Sequence, residues 1–306
     1  MNEKLSEFFI EKAKNELEIT ESIKEQSIKQ FREWLNKHPF IKYPKIDEKI
    51  IIKYLRTNKY SMPKVFESFE KSLLYGRSFK SNMEISLTTE KKIREIYNTG
   101  AFLAMKQRDN SGAQIYIIKY KLFEDFKVSA DEFLTFSTSF SMALENEEKN
   151  QISGVKCIMD CRDVSFNIFN ILPLKTALHF IKNKKYIPLK IKQTYIIGLP
   201  AFAVSFVNSC KSLLNKKNQE RVFLLNDENE LLNYFEPNVL LEEFGGNLKI
   251  DECLEEFRKK FINGNNFMKE FNSKFEIDEE VYKKLRKENY NEGAEFVGSF
   301  RKLEID

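Results

Sequence analysis

Few side chains in this sequence could do covalent or metal chemistry. There are two histidines, His38 and His179, and His179 falls within a helical pattern that gives it a structural role. The pair Cys157-x-x-x-Cys161 has neither a second cysteine pair nor a nearby histidine, so its spacing does not describe a zinc site. On one strand those thiols would stand roughly 13 Å apart, beyond disulfide reach. Asp160, Arg162 and Asp163 follow a strand end, where α/β proteins often place function. No nucleophile or metal partner accompanies them, and they read as turn and capping residues. The sequence contains no Gly-x-Gly-x-x-Gly, no Gly-x-x-x-x-Gly-Lys-Ser/Thr, no Gly-x-Ser-x-Gly and no His-Glu-x-x-His. The expectation is a protein that is not an enzyme and uses neither cofactor nor metal.

What the chain holds instead is charge beside greasy sequence. From Lys182 to Arg221 nine basic residues face one acid, Glu220, whereas Asp227 to Glu256 carries ten acids and one lysine. A basic excess interleaved with apolar residues points to an anionic surface as partner. The lysines surround an apolar helix and match no common nucleic-acid module, so nucleic acid is not the expected partner. The 28 phenylalanines suggest an aromatic-lined pocket, although Lys, Asn, Ile and Tyr are abundant with them, as an AT-rich genome would impose. The longest apolar run, Thr194 to Asn208, is interrupted by Gly198, Pro200 and Ser205. It falls short of the roughly 20 residues that span a bilayer. No secretory leader is evident, and four cysteines in 306 residues do not form a disulfide framework. The expected setting is cytoplasmic, with peripheral and transient membrane contact, and the expected state is a monomer.

The elements that must position these residues follow from periodicity. Ile28, Phe31, Trp34 and Leu35 share one helical stripe; Ile50, Ile51, Tyr54 and Leu55 share a second. Ser61 and Pro63 open a third helix carrying Val65, Phe66, Phe69 and Leu73. Asp109-Asn-Ser-Gly112 signals a turn before a strand at 114–119. Ser129 and Glu132 form a capping box, and Phe133, Phe136 and Phe140 lie along the helix it opens. Strands at 154–160, 192–197 and 221–226 then alternate with helices at 173–183 and 200–214. That pattern predicts an α/β fold with a mostly parallel sheet behind a small N-terminal helical bundle. The expected divisions are 1–90, 91–262 and a tail, 263–306, whose apolar end docks on the body.

Four segments in order carry a family likeness: Leu55-Arg-Thr-Asn-Lys-Tyr-Ser61, Gly154-Val-Lys-Cys-Ile-Met-Asp160, Pro188-Leu-Lys-Ile-Lys192 and Glu242-Glu-Phe-Gly-Gly246. Over residues 25–262 the chain resembles CRAL-TRIO proteins, in the branch of α-tocopherol transfer protein, retinaldehyde-binding protein and clavesins. Its ending, Gly298 to Asp306, resembles insect members of that branch. The resemblance implies a CRAL-TRIO lipid-binding domain with a hydrophobic cavity over the sheet and a mobile lid helix, here about 201–214, striped with Phe202, Phe206, Cys210 and Leu213.

A ligand of tocopherol or retinoid size is then expected against Phe133, Phe136, Phe140, Ile158, Phe166, Phe169, Ile181, Ile187, Tyr195, Ile197, Phe202, Phe206 and Cys210. The likeness further implies that Lys190, Lys192, Lys217 and Arg221 bind phosphoinositide headgroups. The family often reads Leu-Arg-x-Arg where this chain has Asn58, which removes one basic contact. The function so implied is binding and transfer of a small hydrophobic lipid at phosphoinositide-containing membranes. The alternative is a lipid-gated adaptor acting on a protein partner through the acidic stretch and tail.

Overall fold

The computed structural model describes residues 5–17, 20–43, 45–80, 87–183, 186–258 and 274–291. It begins with α1 (Glu7–Leu17), α2 (Glu21–Asn36), β1 (Ile41–Lys42), α3 (Glu48–Thr57), α4 (Met62–Lys80) and α5 (Leu87–Asn98). Thr20 and Asp47 start α2 and α3 by accepting bonds from otherwise orphaned backbone N–H groups. The apolar stripes then bury against one another: Phe31, Trp34 and Leu35 meet Ile51, Tyr54, Leu55, Val65 and Phe69 in one core. Trp34 stacks on Phe66 at 4.6 Å, and the Tyr54 hydroxyl donates to Ser72 at 2.8 Å.

The second core belongs to the α/β part. It runs β2 (Phe102–Arg108), β3 (Gln114–Lys119), α6 (Tyr120–Asp125), α7 (Ala130–Glu145), α8 (Glu148–Ser153) and β4 (Val155–Asp160). It continues through α9 (Ile168–Ile171), α10 (Leu174–Asn183), β5 (Ile191–Ile197), α11 (Ala201–Ser212), α12 (Lys216–Gln219) and β6 (Val222–Leu225). The strands lie in the order β2-β3-β4-β5-β6, antiparallel between β2 and β3 and parallel thereafter. Strand β2 was not expected from the sequence; the Asp109–Gly112 turn joins it to β3, with Asp109 Oδ1 accepting from the N–H groups of Ser111 and Ala113. The parallel strands step in one direction across the sheet. Right-handed crossovers therefore place α7, α10 and α11 on the same face. Short 3-10 turns between Glu228 and Phe244 cover the other face.

Register assigns each strand residue to a face. Tyr116, Cys157, Thr194 and Val222 stand in one row, and Ile118, Met159, Ile196 and Leu224 in another, on the helical face. Tyr116 meets Phe140 of α7 at 5.4 Å there. Ile117, Ile158, Tyr195 and Phe223 form a row on the opposite face, where Tyr195 meets Phe235 at 4.9 Å.

Polar contacts join the two cores. Lys53 of α3 donates to Glu145 of α7 at 2.6 Å, and Arg56 reaches Glu148 at 2.6 Å and Gln151 at 3.1 Å. Near the end of the chain, β7 (Glu276–Ile277) pairs antiparallel with β1, and Phe275, Val281 and Tyr282 pack on the bundle core. The expected docking of Gly298 to Asp306 lies outside the described residues, as do Lys184, Lys185 and the side chains of His179 and Lys182.

Candidate functional site

Helix α11 is held over the sheet by a tight corner. Gly198 follows β5 with φ +60°, and a Cβ there would collide with Arg162 Cγ, so the chain turns against the β4 corner only because that atom is absent. Arg162 is itself fixed, donating to Asp160 at 2.8 Å and pairing with Glu228 at 3.1 Å; the hydrogen bond to Asp160 raises its guanidinium above the ordinary range. Pro200 precedes α11 without any side-chain cap bond. Of the described residues of α11, only Ala203 is buried. Phe202 and Phe206 are half-buried, and Phe202 stacks on Phe166 at 4.1 Å. Phe169 of α9 meets Phe206 at 5.2 Å and Phe202 at 5.9 Å. These four expected cavity residues therefore form one aromatic cluster, of which Phe166 remains 69% exposed.

The other expected residues divide among three places. Phe133, Phe136 and Phe140 lie on the same sheet face but deep in a sealed core with Phe102 and Phe123. Phe133 reaches Phe180 of α10 at 6.3 Å, which links that core to the region under α11. Ile158, Tyr195 and Ile197 project from the opposite face, packed beneath the 228–244 segment, and the structure does not bring them to α11. Cys210 is half-buried, and burial raises its thiol. The strand residues that do lie under α10 and α11 are Met159, Thr194, Ile196, Val222 and Leu224, which the sequence reading missed. Strand parity held the signal: Lys156 and Asp160 alternate with Cys157 and Met159, and those two charges pair with Asp109 and Arg162 on the far face.

Ile181 and Ile187 enter a separate cleft of about 340 Å³ between α3, α4 and the end of α11. Its apolar lining also includes Leu189, Ile191, Leu213 and Leu214; Thr57, Asn58, Ser68, Lys190, Asn215 and Asn218 supply the polar part. The residue marked in the sequence as a departure, Asn58, thus stands at the same cleft as Lys190. The walls are fixed by hydrogen bonds: Ser68 Oγ donates to the Tyr186 carbonyl at 3.2 Å, and Lys71 donates to Tyr186 Oη at 2.7 Å. Lys59 and Tyr60, beside Asn58, both hold positive φ, at 50° and 57°. Non-glycine residues rarely adopt that conformation. Lys192 is half-buried in β5, Arg221 is half-buried before β6 and Lys217 is exposed on α12; of the four expected headgroup cations, Lys190 alone is among the described cleft residues.

Burial pushes the Cys161 thiol up to about 12, so it stays protonated and unreactive at neutral pH. Among the described residues no group of three His, Cys, Asp or Glu side chains is arranged to hold a metal, and no helix is long and apolar enough to cross a membrane.

A helical N-terminal region set against a mostly parallel α/β sheet is the arrangement the family resemblance implied. Residues 98–246 match the family model described as the CRAL/TRIO domain, and the chain carries a CRAL-TRIO domain over that span, from the approach to β2 through Gly245-Gly246. CRAL-TRIO proteins form a family of lipid-binding and lipid-transfer proteins. The chain is similar to Clavesin-1 of Pongo abelii, 25% identical over 249 residues that cover 80% of this chain and 70% of that protein. It is also similar to Clavesin-2 of Homo sapiens, 22% identical over 251 residues covering 80% and 75%. The crystal structure of Sfh5 aligns with a TM-score of 0.48 and 11% identity, covering 85% of this chain and 99% of that one.

Proposed function

We propose that this protein binds one small hydrophobic lipid, of tocopherol or retinoid size, and transfers it at phosphoinositide-containing membranes without catalysing a reaction. The observation that carries this reading is the seating of α11. Its apolar side chains Phe202, Phe206 and Val207 are half-buried, and beneath them Met159 and Val222 are half-buried while Leu224 is 39% exposed. Apolar surface left uncovered on both sides of one layer favours an apolar guest, because burying it contributes about 25 cal/mol per Å² before association costs.

The mechanism is a two-state carrier with α11 as its lid, swinging about the Gly198–Pro200 corner. In the shut state the lid seals the lipid against the helical face of β4 to β6. In the open state its aromatic face meets the membrane, and the exposed Phe166, stacked on Phe202, supports that orientation. Anionic headgroups at Lys190, Lys192, Lys217 and Arg221 favour the open state by binding it more tightly. The setting of this cycle is the cytoplasm, with transient docking.

Two measurements test the reading. Mass spectrometry of lipid extracted from gently purified protein should find one apolar species at about one per chain. Reversing charge at Lys217 and Arg221 (Lys217→Glu with Arg221→Glu) should leave lipid affinity unchanged and slow transfer between anionic vesicles about thirtyfold or more, as loss of roughly 1 kcal/mol per cation predicts. Absence of extractable lipid, with no uptake of a fluorescent apolar probe, would remove the carrier function. An unchanged transfer rate in the double variant would remove docking from those residues.

A further inference from the structure

We infer that Arg162 is the positioning residue of the lid: it stands against Gly198 and so governs how readily α11 swings, while Asp160 and Glu228 govern how firmly Arg162 stands. This rests on the carrier reading above and assigns control of its opening step to one side chain.

The corner between β5 and α11 consists of Gly198, Leu199 and Pro200, and two of these have little freedom. Pro200 sits at φ −62°, the value its ring imposes. Leu199 is restricted by the proline that follows it. Gly198 is left as the joint, at a positive φ of 60° that glycine enters and leaves without a Cβ clash. Its N–H donates to the Leu225 carbonyl at 3.2 Å, which ties the joint toward β6. On the β4 side stands Arg162. A Cβ on Gly198 would collide with Arg162 Cγ and lie 3.2 Å from Arg162 Cα and 3.3 Å from its Cβ. For the joint to move toward β4, the stem of Arg162 has to yield.

Whether the stem yields depends on its guanidinium. Nε and Nη2 donate to the two carboxylate oxygens of Asp160, at 2.9 and 2.8 Å. Nη1 pairs with Glu228 at 3.1 Å, in the turn after β6, and Nη2 lies 4.0 Å from Glu243. The same group lies over the ring of the fully buried Phe244, 5.0 Å from its centre. A planar fork can hold all of these partners at once. The chain also turns tightly just past Arg162, where Asp163 takes a φ of +59° that non-glycine residues seldom adopt. Glu228, Glu243 and Phe244 belong to the segment that covers the opposite face of the sheet. Arg162 thus couples the joint of the lid to that segment. A lysine at 162 keeps the charge and the stem through Cγ, but its single ammonium lacks the fork that spans Asp160 and Glu228. The stem is then free to give way.

The test follows the neutral fluorophore N-phenyl-1-naphthylamine into and out of the full chain by stopped flow, without membranes. A gate that opens more often speeds entry and exit by the same factor and leaves the dissociation constant where it was, whereas a damaged cavity speeds exit alone. Arg162→Lys should raise both rates about fivefold, the factor for one partly exposed ion pair, with an unchanged dissociation constant. Glu228→Gln, which leaves the Arg162–Asp160 fork in place, should raise both about twofold, and it carries the test if Arg162→Lys folds poorly. Faster exit with weaker binding would overturn the inference, as would entry and exit rates that neither variant changes. In both outcomes the carrier reading stands. A full chain that neither takes up the fluorophore nor yields extractable lipid would remove both.

Discussion

Helices α7 and α11 cross the same face of one sheet and are held in opposite ways. Their side chains are about equally apolar on average, so composition does not separate them. Helix α7 buries Phe133, Phe136, Phe140, Ala143 and Leu144, whereas only Ala203 is buried among the described residues of α11. The ends differ as well. Helix α7 begins in a complete capping box, Ser129 with Glu132, and its last residue, Glu145, is locked to Lys53 in the bundle. Helix α11 begins at Pro200 with no side-chain cap and ends with Lys211 donating to the Val222 carbonyl at 2.9 Å. One helix is fixed at both ends and along its length; the other is tied by its corners. The difference teaches that apolar content does not set seating: the aromatic stripe of α7 is core, whereas Phe202 and Phe206 of α11 stay half-buried.

Matched truncations would break this comparison most sharply. Phe136 is fully buried, so Phe136→Ala should cost about 3–5 kcal/mol of unfolding free energy. Phe206→Ala on α11 should cost less than about 1 kcal/mol and act instead on lipid uptake. Urea denaturation of the two variants decides it; equal losses would mean that both helices are core. A somewhat smaller effect is expected at the C-terminal anchor of α7. Burial holds the Glu145 carboxyl above its ordinary range even though Lys53 acts against that shift. Lys53→Met therefore leaves a buried acid without its cation and should cost about 3 kcal/mol, while adding Glu145→Leu should recover most of the loss. If the double variant is no more stable than the single one, the pair is not the lock described here.

Much of the architecture was legible because the sequence signals were local. The Ser129–Glu132 box, the bundle stripes and strands at 114–119 and 155–160 follow from propensities and periods that tertiary packing did not override. Strand β2 was missed because Phe102 to Met105 is a short apolar run that only its antiparallel pairing with β3 defines. The candidate site was legible in part. Phe166, Phe169, Phe202 and Phe206 meet, and Ile181, Ile187 and Lys190 share a cleft. Which residues of β4 and β5 faced that side was obscured because long stretches of both are apolar. In β4 only the charges of Lys156 and Asp160, at its two ends, mark the face that Ile158 shares. The polar cleft was unreadable for another reason: Asn58, Ser68 and Asn218 come from distant segments, and nothing local links them.

The smallest expected effect concerns pH, and it separates the two helices by their caps. Burial would raise the Glu132 carboxyl, but hydrogen bonds from Lys92 and Ser129 outweigh it and hold the group below the ordinary carboxylate range. A carboxylate lowered in the folded state contributes stability above its unfolded pKa, and that contribution is lost as pH falls through the folded value. Acid should therefore loosen the first turn of α7 once Glu132 protonates. The start of α11, capped by Pro200 without a titrating side chain, should show no matching step. Because Glu132 is partly solvated, the change will be modest and best seen locally, as hydrogen exchange at the N–H groups of the first turn of α7 across the acid range. Glu132→Gln keeps a hydrogen-bonding cap but removes the titration, so its exchange profile should lose the acid-dependent step. An acid step of equal size at both helices, or one that survives in Glu132→Gln, would show that the cap does not distinguish them and leave burial alone to explain why α7 is fixed and α11 is not.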